Sequence, residues 1–233
     1  RLFLDIETSP NVVLTWRIGY KISLSHDNLL KERAIICVGW KWEGEKEVHS
    51  VQWDKEQNDK TLLSELIDVV NEADEIVMHN GDRFDFPWLR TRCLFHGLPI
   101  INPQSKTVDT LQWARRNFYF NSNRLDYIAR FLGLGGKIKT EYGLWKEIVL
   151  NRDARSMDLM VTYCKRDVVL LEQVWKRLKV LVSPKTHAGV LAGKAAWSCP
   201  RTGTTNVKVS KTRVTAAVSA SLWRALPAAH PAS

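Results

Sequence analysis

Short apolar runs bounded by turn residues are the first pattern along the chain, and they predict β-strands. The run Leu2-Phe3-Leu4-Asp5-Ile6 ends at Thr8-Ser9-Pro10, as is typical of a buried strand. Two later runs on either side of the turn Glu43-Gly44-Glu45-Lys46 predict an antiparallel meander. The expected strands after the first cover residues 34–40, 47–53, 75–79 and the surroundings of Val108.

Apolar residues at helical spacing follow these runs. A helix that begins at Asn58 or Asp59 would carry its apolar residues on one face, namely Leu62, Leu63, Leu66, Ile67 and Val70. The mixed pattern of residues 11–32 predicts a loop with a short helix. Further helices are expected over residues 87–96, from Asp109 or Thr110 onward, and over 123–133, 142–150 and 156–182, with Pro184 after the last.

Strands first, then helices alternating with strands, indicate an α/β domain over residues 1–182. We expect a mixed five-stranded sheet flanked by helices. Residues 183–233 are rich in Ala, Ser, Thr and Pro and predict a small appendage that is poorly ordered unless it docks.

Composition excludes several classes of protein. The 233 residues, 45% apolar and 25% charged, suit a folded globular chain rather than a disordered one. No run approaches the about 18–20 apolar residues of a membrane span, so no membrane partner is expected. No signal peptide is visible, and because the first residue is not Met, we expect a short leader to be missing. Four cysteines without paired spacing predict reduced thiols in the cytoplasm.

The net charge of +9 is concentrated in the appendage. Residues 173–233 carry ten Lys and Arg and no acid, whereas residues 1–172 carry 24 Lys and Arg and 25 Asp and Glu. A basic segment on a near-neutral body is typical of a polyanion partner, although it would also suit a merely soluble tail. The segment lacks a sustained amphipathic helix, which favours nucleic acid over a lipid surface.

Acidic residues near the ends of predicted elements are the candidates for chemistry. Asp5 and Glu7 lie two apart on a strand, so both carboxylates face one side of the sheet and repel each other unless a cation neutralises them. The alternative is a solvated pair at a strand edge. Asp85 follows the turn Asn80-Gly81 near the carboxyl edge of the sheet, where sites of α/β folds gather. It would equally suit the N-cap of the next helix.

Tyr163 and Asp167 lie four apart, on one face of the last long helix. Asp167 borders an apolar stripe, where a carboxylate needs a partner; the alternative is an exposed acid paired with Lys165 or Arg166. Together, Asp5, Glu7, Asp85 and Asp167 can converge into an oxygen-only cluster of the kind that Mg²⁺ or Mn²⁺ prefers. Two such ions about 3.5–4 Å apart can clamp both oxygens of a phosphodiester displacement.

Asp5-Ile6-Glu7, Asn80 through Phe84-Asp85 and Tyr163-x-x-x-Asp167 resemble the three exonuclease motifs of the DEDD superfamily, tyrosine subclass. Val108-Asp109-Thr110-Leu111 resembles the segment after the second motif. The resemblance spans about residues 1–182 and implies a ribonuclease-H-like fold, as in the proofreading domains of polymerases and in stand-alone phage and bacterial 3′–5′ exonucleases. It therefore also implies the cytoplasm of a bacterium or of a phage-infected host.

The resemblance implies a role for each matching residue. Asp5, Glu7 and Asp167 would hold the metal ion that activates water, and Asp5 would bridge to a second ion that Asp85 reaches directly or through water. Tyr163 would orient the attacking water, since a phenol with an ordinary pKa of about 10 is a poor base. Thr8 would help to seat the terminal nucleotide.

A single-stranded substrate predicts contacts through backbone charge and base stacking. Asn80 either forms the turn before Asp85 or contacts the substrate. The other candidate substrate-binding residues are Arg83, Phe86, Arg115, Arg116, Lys137 and Lys139. Most aromatic residues are expected in the core instead.

Stand-alone relatives can carry a C-terminal zinc ribbon that opens with Cys-Pro-x-Cys-Gly. Here Cys199-Pro200-Arg201-Thr202-Gly203 has one cysteine and no later pair follows, so we expect an altered ribbon without zinc. The predicted activity is a two-metal 3′–5′ exonuclease on single-stranded DNA. The alternatives are an exoribonuclease and an inert nucleic-acid-binding module. A polymerase or other replication or repair protein would be a separate partner.

Overall fold

The computed structural model describes residues 1–99, 106–136, 141–184, 186–214 and 219–225. Its central element is the mixed five-stranded sheet expected from the sequence, in the order β5-β4-β1-β6-β7. Strand β1 pairs antiparallel with β4 and parallel with β6, and β4 and β5 form the antiparallel meander. These five strands are β1 Leu2–Thr8, β4 Ile35–Trp42, β5 His49–Gln52, β6 Glu75–Met78 and β7 Lys106–Asp109.

The first six helices are built from the segments that the apolar periodicity indicated. The helices are α1 Lys60–Glu72, α2 Asp85–His96, α3 Thr110–Asn117, α4 Leu125–Phe131, α5 Tyr142–Lys146, α6 Ala154–Leu178 and α7 Ala188–Leu191. A π-helical turn, Glu147–Asn151, follows α5. Gln57 donates its side-chain amide to the carbonyl oxygens of Ile148 and Val149 in this turn, at 2.8 and 3.2 Å.

The alternation of side chains along β1 separates two layers. Leu2, Leu4 and Ile6 enter an apolar cluster with the buried faces of α1 and α2. Phe3 lies on the opposite face and contacts Trp175 of α6 edge-on, with ring centroids 5.2 Å apart. Because side chains alternate along a strand, Asp5 and Glu7 share the face of Phe3 and are directed toward α6.

Residues 11–32 differ from the predicted loop with a short helix. They contain the two-stranded pair β2 Val12–Val13 and β3 Leu29–Lys31, and a single 3₁₀ turn, His26–Asn28, precedes β3. Strands this short are specified by pairing with each other rather than by their own periodicity, which is why the sequence pattern did not reveal them.

The chain divides into two compact units, Arg1–Leu178 and Lys179–Ser233. Within the second unit, α7 is followed by a hairpin of β8 Val207–Val214 and β9 Ser219–Ala225. The expectation of a poorly ordered appendage did not anticipate these elements. Gly203 donates its backbone N–H to the carbonyl of Cys199 at 2.8 Å, which closes the turn at Cys199-Pro200-Arg201-Thr202-Gly203.

None of the helices within the described ranges combines the length and the apolarity that crossing a bilayer requires. Cys37, Cys93, Cys164 and Cys199 are all free thiols.

Candidate active site

Helix α6 crosses β1 in a register that places Asp167 of the helix near Asp5 and Glu7 of the strand. The contact between Phe3 and Trp175 fixes one point of this crossing. From Trp175 back to Asp167 the helix rises about 12 Å. From Phe3 forward to Glu7 the strand advances about 13 Å, so Asp167 arrives opposite the end of β1. A buried ion pair between Lys41 of β4 and Glu172 of α6 holds the same crossing.

Gly39 permits the close approach of α6 to the sheet. It pairs with Asp5 across the β1–β4 ladder. A Cβ atom at this position would lie 3.1 Å from Cys164 Sγ and 3.2 Å from Val168 Cγ2. At these distances the two side chains of α6 would have to give way by a few tenths of an ångström, so the missing side chain of Gly39 lets α6 pack closely on the sheet.

We expect Gly39→Ala to lower stability, because the added Cβ atom must push the side chains of Cys164 and Val168 aside. Overpacking of this kind costs about 1–3 kcal/mol. Thermal unfolding measures the effect. Gly143→Ala is the matched control, because a Cβ atom there meets nothing within 4 Å. A Gly39→Ala variant with the thermal midpoint of the wild type would contradict this role of Gly39.

Three of the four predicted acids lie together. One carboxylate oxygen from each of Asp5, Glu7 and Asp167 lies within 4.8 Å of the others. Asp5 and Glu7 are partly buried and Asp167 is fully buried. The alternative of an exposed Asp167 paired with a neighbouring cation is therefore wrong for this structure.

Asp85 lies beside this group and is not a member of it. It is the first residue of α2, and its Oδ1 accepts a hydrogen bond of 3.2 Å from the backbone N–H of Ile6, between the two β1 acids. Its burial and the negative charge of Asp5 raise the pKa of Asp85 well above the ordinary carboxyl range. The carboxylate thus tethers α2 to β1 instead of capping its own helix.

The loop before Asp85 is held by a residue that the sequence indicated only as a helix cap. Asp109 Oδ1 accepts the backbone N–H of Leu111 in α3 at 2.9 Å and also that of Asn80 at 2.9 Å. Asn80 itself has a φ of 72°. A Cβ atom on Gly81 would lie 2.3 Å from Met78 Cβ, so this turn excludes other residues at that position. Asn80 therefore forms the turn that leads to Asp85.

Tyr163 and Cys164 lie one turn before Asp167 on α6. Tyr163 is partly buried and, like Trp145, packs against an apolar cluster that includes Ile148. The Cys164 thiol lies 3.5 Å from the backbone carbonyl of Asp5. A hydrogen bond with Cys37 and burial raise the pKa of Cys164 well above its ordinary value. Cys164 therefore fills space beside the carboxylates without adding a negative charge.

The donor set fits hard divalent cations. Three carboxylates that approach one another this closely repel in the absence of a cation, and burial strengthens that repulsion. Carboxylate oxygens are the ligands that Mg²⁺ and Mn²⁺ prefer. Asp5, Glu7 and Asp167 could hold such an ion, and Asp85 is close enough to Asp5 for their charges to interact.

The predicted substrate-binding residues lie in different environments. Thr8 lies at a bulge at the end of β1, where its carbonyl accepts the indole N–H of Trp145 at 3.2 Å. Arg83, in the loop before Asp85, is exposed. Arg115 and Arg116 are exposed on α3. Lys137 and Lys139 lie outside the described residues.

The structure contradicts the prediction for Phe86. Its side chain is 3% exposed within the apolar cluster of α1 and α2, so the predicted base-stacking role of Phe86 is wrong. Phe86 packs inward because it lies on the face of α2 that contacts α1 and the sheet. Sequence reasoning missed Arg33, Tyr142 and Trp145, which line the surface depression around Thr8. Their position far from the motifs gave no signal.

Comparisons with known proteins agree with this fold. The RNase_H_2 family model, described as RNase_H superfamily, matches residues 26–179, a range that contains Asp85, Tyr163 and Asp167. A DNA polymerase of Methanocaldococcus jannaschii is 41% identical over 44 residues, which are 19% of this chain and 3% of the polymerase.

Among solved structures, the family B DNA polymerase of Pyrobaculum calidifontis is similar with a TM-score of 0.57 and 16% identity. The similarity covers 77% of this chain and 25% of the polymerase chain. At 16% identity it shows a shared fold and no more. The chain thus spans a small part of each polymerase. The family match covers well over half of the sequence, and the mixed five-stranded sheet flanked by helices is the ribonuclease-H-like arrangement: the chain belongs to the RNase_H superfamily.

Proposed function

We propose that this protein is a metal-dependent 3′–5′ exonuclease that hydrolyses phosphodiester bonds at single-stranded DNA ends, with a DEDD site of the tyrosine subclass. The observation that carries the proposal is the convergence of Asp5, Glu7 and Asp167 within 4.8 Å from β1 and α6. Asp167 lies 160 positions after Glu7 in the sequence. An inert binding module has no use for three carboxylates brought together at a cost in repulsion.

In this proposal Asp5, Glu7, Asp85 and Asp167 hold two Mg²⁺ or Mn²⁺ ions. Such ions supply an activated water molecule and neutralise charge on the phosphate. Tyr163, one helical turn from Asp167, orients that water by a hydrogen bond from its phenol. Thr8, at the bulge that ends β1, positions the terminal nucleotide.

Digestion of matched DNA and RNA oligonucleotides tests the proposal. A strand labelled at its 5′ end is expected to shorten one nucleotide at a time with Mg²⁺ or Mn²⁺, and to stay intact with EDTA. The same strand labelled at its 3′ end releases a labelled mononucleotide at once. Preferred digestion of RNA would change the substrate, while intact strands that still shift on a gel would leave only a binding module.

We expect Tyr163→Phe to lower kcat about 10²-fold, because it removes the one hydrogen bond that orients the nucleophile. The ring remains in its apolar cluster, so the thermal midpoint should stay close to that of the wild type. Single-turnover kinetics measure the chemical step. Tyr127→Phe, on α4, is the matched control and should cleave at the wild-type rate. A Tyr163→Phe enzyme with full activity would remove Tyr163 from the site.

The two parts of the chain differ in charge, and the proposal gives them different roles. We propose that residues 1–182 perform the hydrolysis and that the basic residues 183–233, an altered ribbon without zinc, add contacts to phosphates. Any polymerase or other replication or repair protein is a separate partner in this proposal, and the cytoplasm is the proposed location.

A further inference from the structure

Two surface depressions meet at Arg33. One, of about 490 Å³, lies at the end of β1 around Thr8, Asn11 and Trp145. The other, of about 700 Å³, extends along α2 and includes Arg83 and Trp88. Arg33 lines both of them. The two depressions share this one lining residue and mark a path from the residue that follows Glu7 to the outer side of α2.

Arg33 and Trp88 form a flat cationic platform on this path. The guanidinium of Arg33 lies 4.7 Å from the centroid of the Trp88 ring. Phe84, immediately before Asp85, stands edge-on to the same ring with centroids 6.4 Å apart. Trp88 follows Asp85 by three residues, or about 4.5 Å along the helix axis, so Trp88 lies within one turn of the acid beside the carboxylate group.

The position and charge of the platform are suited to a polyanion. Asn11 accepts the backbone N–H of Arg33 at 3.0 Å, which holds the backbone of Arg33 in place. Neither Arg33 nor Arg83 forms an ion pair with a carboxylate among the described residues, and both are exposed. Of the described residues that line the two depressions, only Glu32 is acidic.

We propose that Arg33 and Trp88 bind the single strand on the 5′ side of the scissile bond, with one base stacked on the platform and a phosphate at Arg33 or Arg83. Sequence-tolerant binding of single strands combines aromatic or guanidinium stacking with backbone charge, and this surface offers both. The inference rests on the proposed function, because it takes the carboxylate group as the place of cleavage. In this proposal the affinity for a single strand increases once the strand is long enough to reach Arg33.

The test compares Arg33→Ala and Arg33→Lys with wild type. Fluorescence anisotropy with labelled twelve-nucleotide oligothymidylate in EDTA measures binding without cleavage. A thymidine 5′-phosphate nitrophenyl ester, which occupies only the cleavage position, measures chemistry alone with Mn²⁺. Arg90→Ala is the matched control: Arg90 is also an exposed α2-side guanidinium stacked on a ring, that of Phe86 at 5.2 Å, but it lines neither depression.

Arg33→Ala is expected to weaken binding of the oligonucleotide about 10- to 100-fold, to lower the slope of log K against log salt by about 0.7, and to reduce hydrolysis of the ester far less than it reduces oligonucleotide binding. Arg33→Lys should keep the salt slope but lose part of the affinity, because an ammonium does not stack. Arg90→Ala should bind like wild type.

Oligonucleotide binding by Arg33→Ala within twofold of wild type would overturn the inference, as would an equal loss with the ester. A wild-type protein that binds the oligonucleotide through Arg33 but cleaves neither substrate would refute the proposed function and leave the platform standing.

Discussion

Asp167→Ala is expected to abolish metal-dependent cleavage, with a loss of at least about 10³-fold. Asp167 is fully buried and contributes one of the three oxygens of the carboxylate group. The stabilisation that a bound divalent ion gives a transition state amounts to several kcal/mol, and each 1.4 kcal/mol corresponds to a factor of ten in rate. Single-turnover cleavage of a labelled oligonucleotide measures the loss.

Metal binding gives a second readout that does not depend on activity. An ion that binds only the folded state at 100 times its Kd stabilises it by about 2.7 kcal/mol. Mn²⁺ should therefore raise the thermal midpoint of the wild type and leave that of Asp167→Ala unchanged. Asp158→Ala on the exposed face of α6 is the control and should respond like wild type. A Mn²⁺-dependent shift that survives in Asp167→Ala would place the ion elsewhere.

The second large effect concerns a buried ion network centred on Asp59. We expect Asp59→Ala to destabilise the protein by about 3–5 kcal/mol, because it leaves a buried cation without its partner. Asp59 is fully buried and accepts two hydrogen bonds of 2.7 Å from Arg92, one of 2.7 Å from His96 and one of 2.9 Å from the Ile35 backbone. The network joins the start of α1 to α2 and β4. Chemical denaturation measures the loss.

The same network predicts how stability depends on pH. Burial would raise the pKa of Asp59, but the hydrogen bonds from Arg92, Ile35 and His96 outweigh it and hold the pKa below its ordinary value. A carboxylate with a lowered pKa contributes stability that is present above the unfolded value of about 3.9 and is lost as pH falls through the folded value. The stability difference between wild type and Asp59→Ala should shrink in that acidic range.

Asp68→Ala is the control for both measurements, since Asp68 is exposed on α1. It should change stability by no more than about 0.5 kcal/mol. A loss for Asp59→Ala no larger than that of Asp68→Ala, or a difference that grows in acid, would contradict the role of the buried network.

Local patterns predicted the elements and part of the candidate site. Period-two alternation on β1 is enough to place Asp5 and Glu7 on one face, and four-residue spacing on a helix places Tyr163 and Asp167 on another. Asn80-Gly81 indicated its turn because few residues tolerate a positive φ. Each of these inferences concerns neighbours in the sequence, whose geometry the backbone period determines directly.

Such local patterns could not predict the contacts between elements. Either Asn58 or Asp59 was expected to cap α1. Asn58 accepts the Lys60 amide at 2.9 Å, whereas the carboxylate of Asp59 binds Arg92 and His96. Phe86 was expected to be an accessible ring beside Asp85, but it is buried. These outcomes depend on how α1 and α2 pack against the sheet.

The sequence by itself determined the order of the five sheet strands and of helices α1 to α6, the spacing of the acids along each element and the concentration of positive charge after residue 172. Only the tertiary structure decided that α6 lies close enough over Gly39 for Asp167 to join Asp5 and Glu7, with Asp85 beside them. It also decided that Arg33 stacks on Trp88. The physical reason is that backbone periodicity acts over a few residues, whereas these contacts depend on the packing of side chains from elements far apart in the chain.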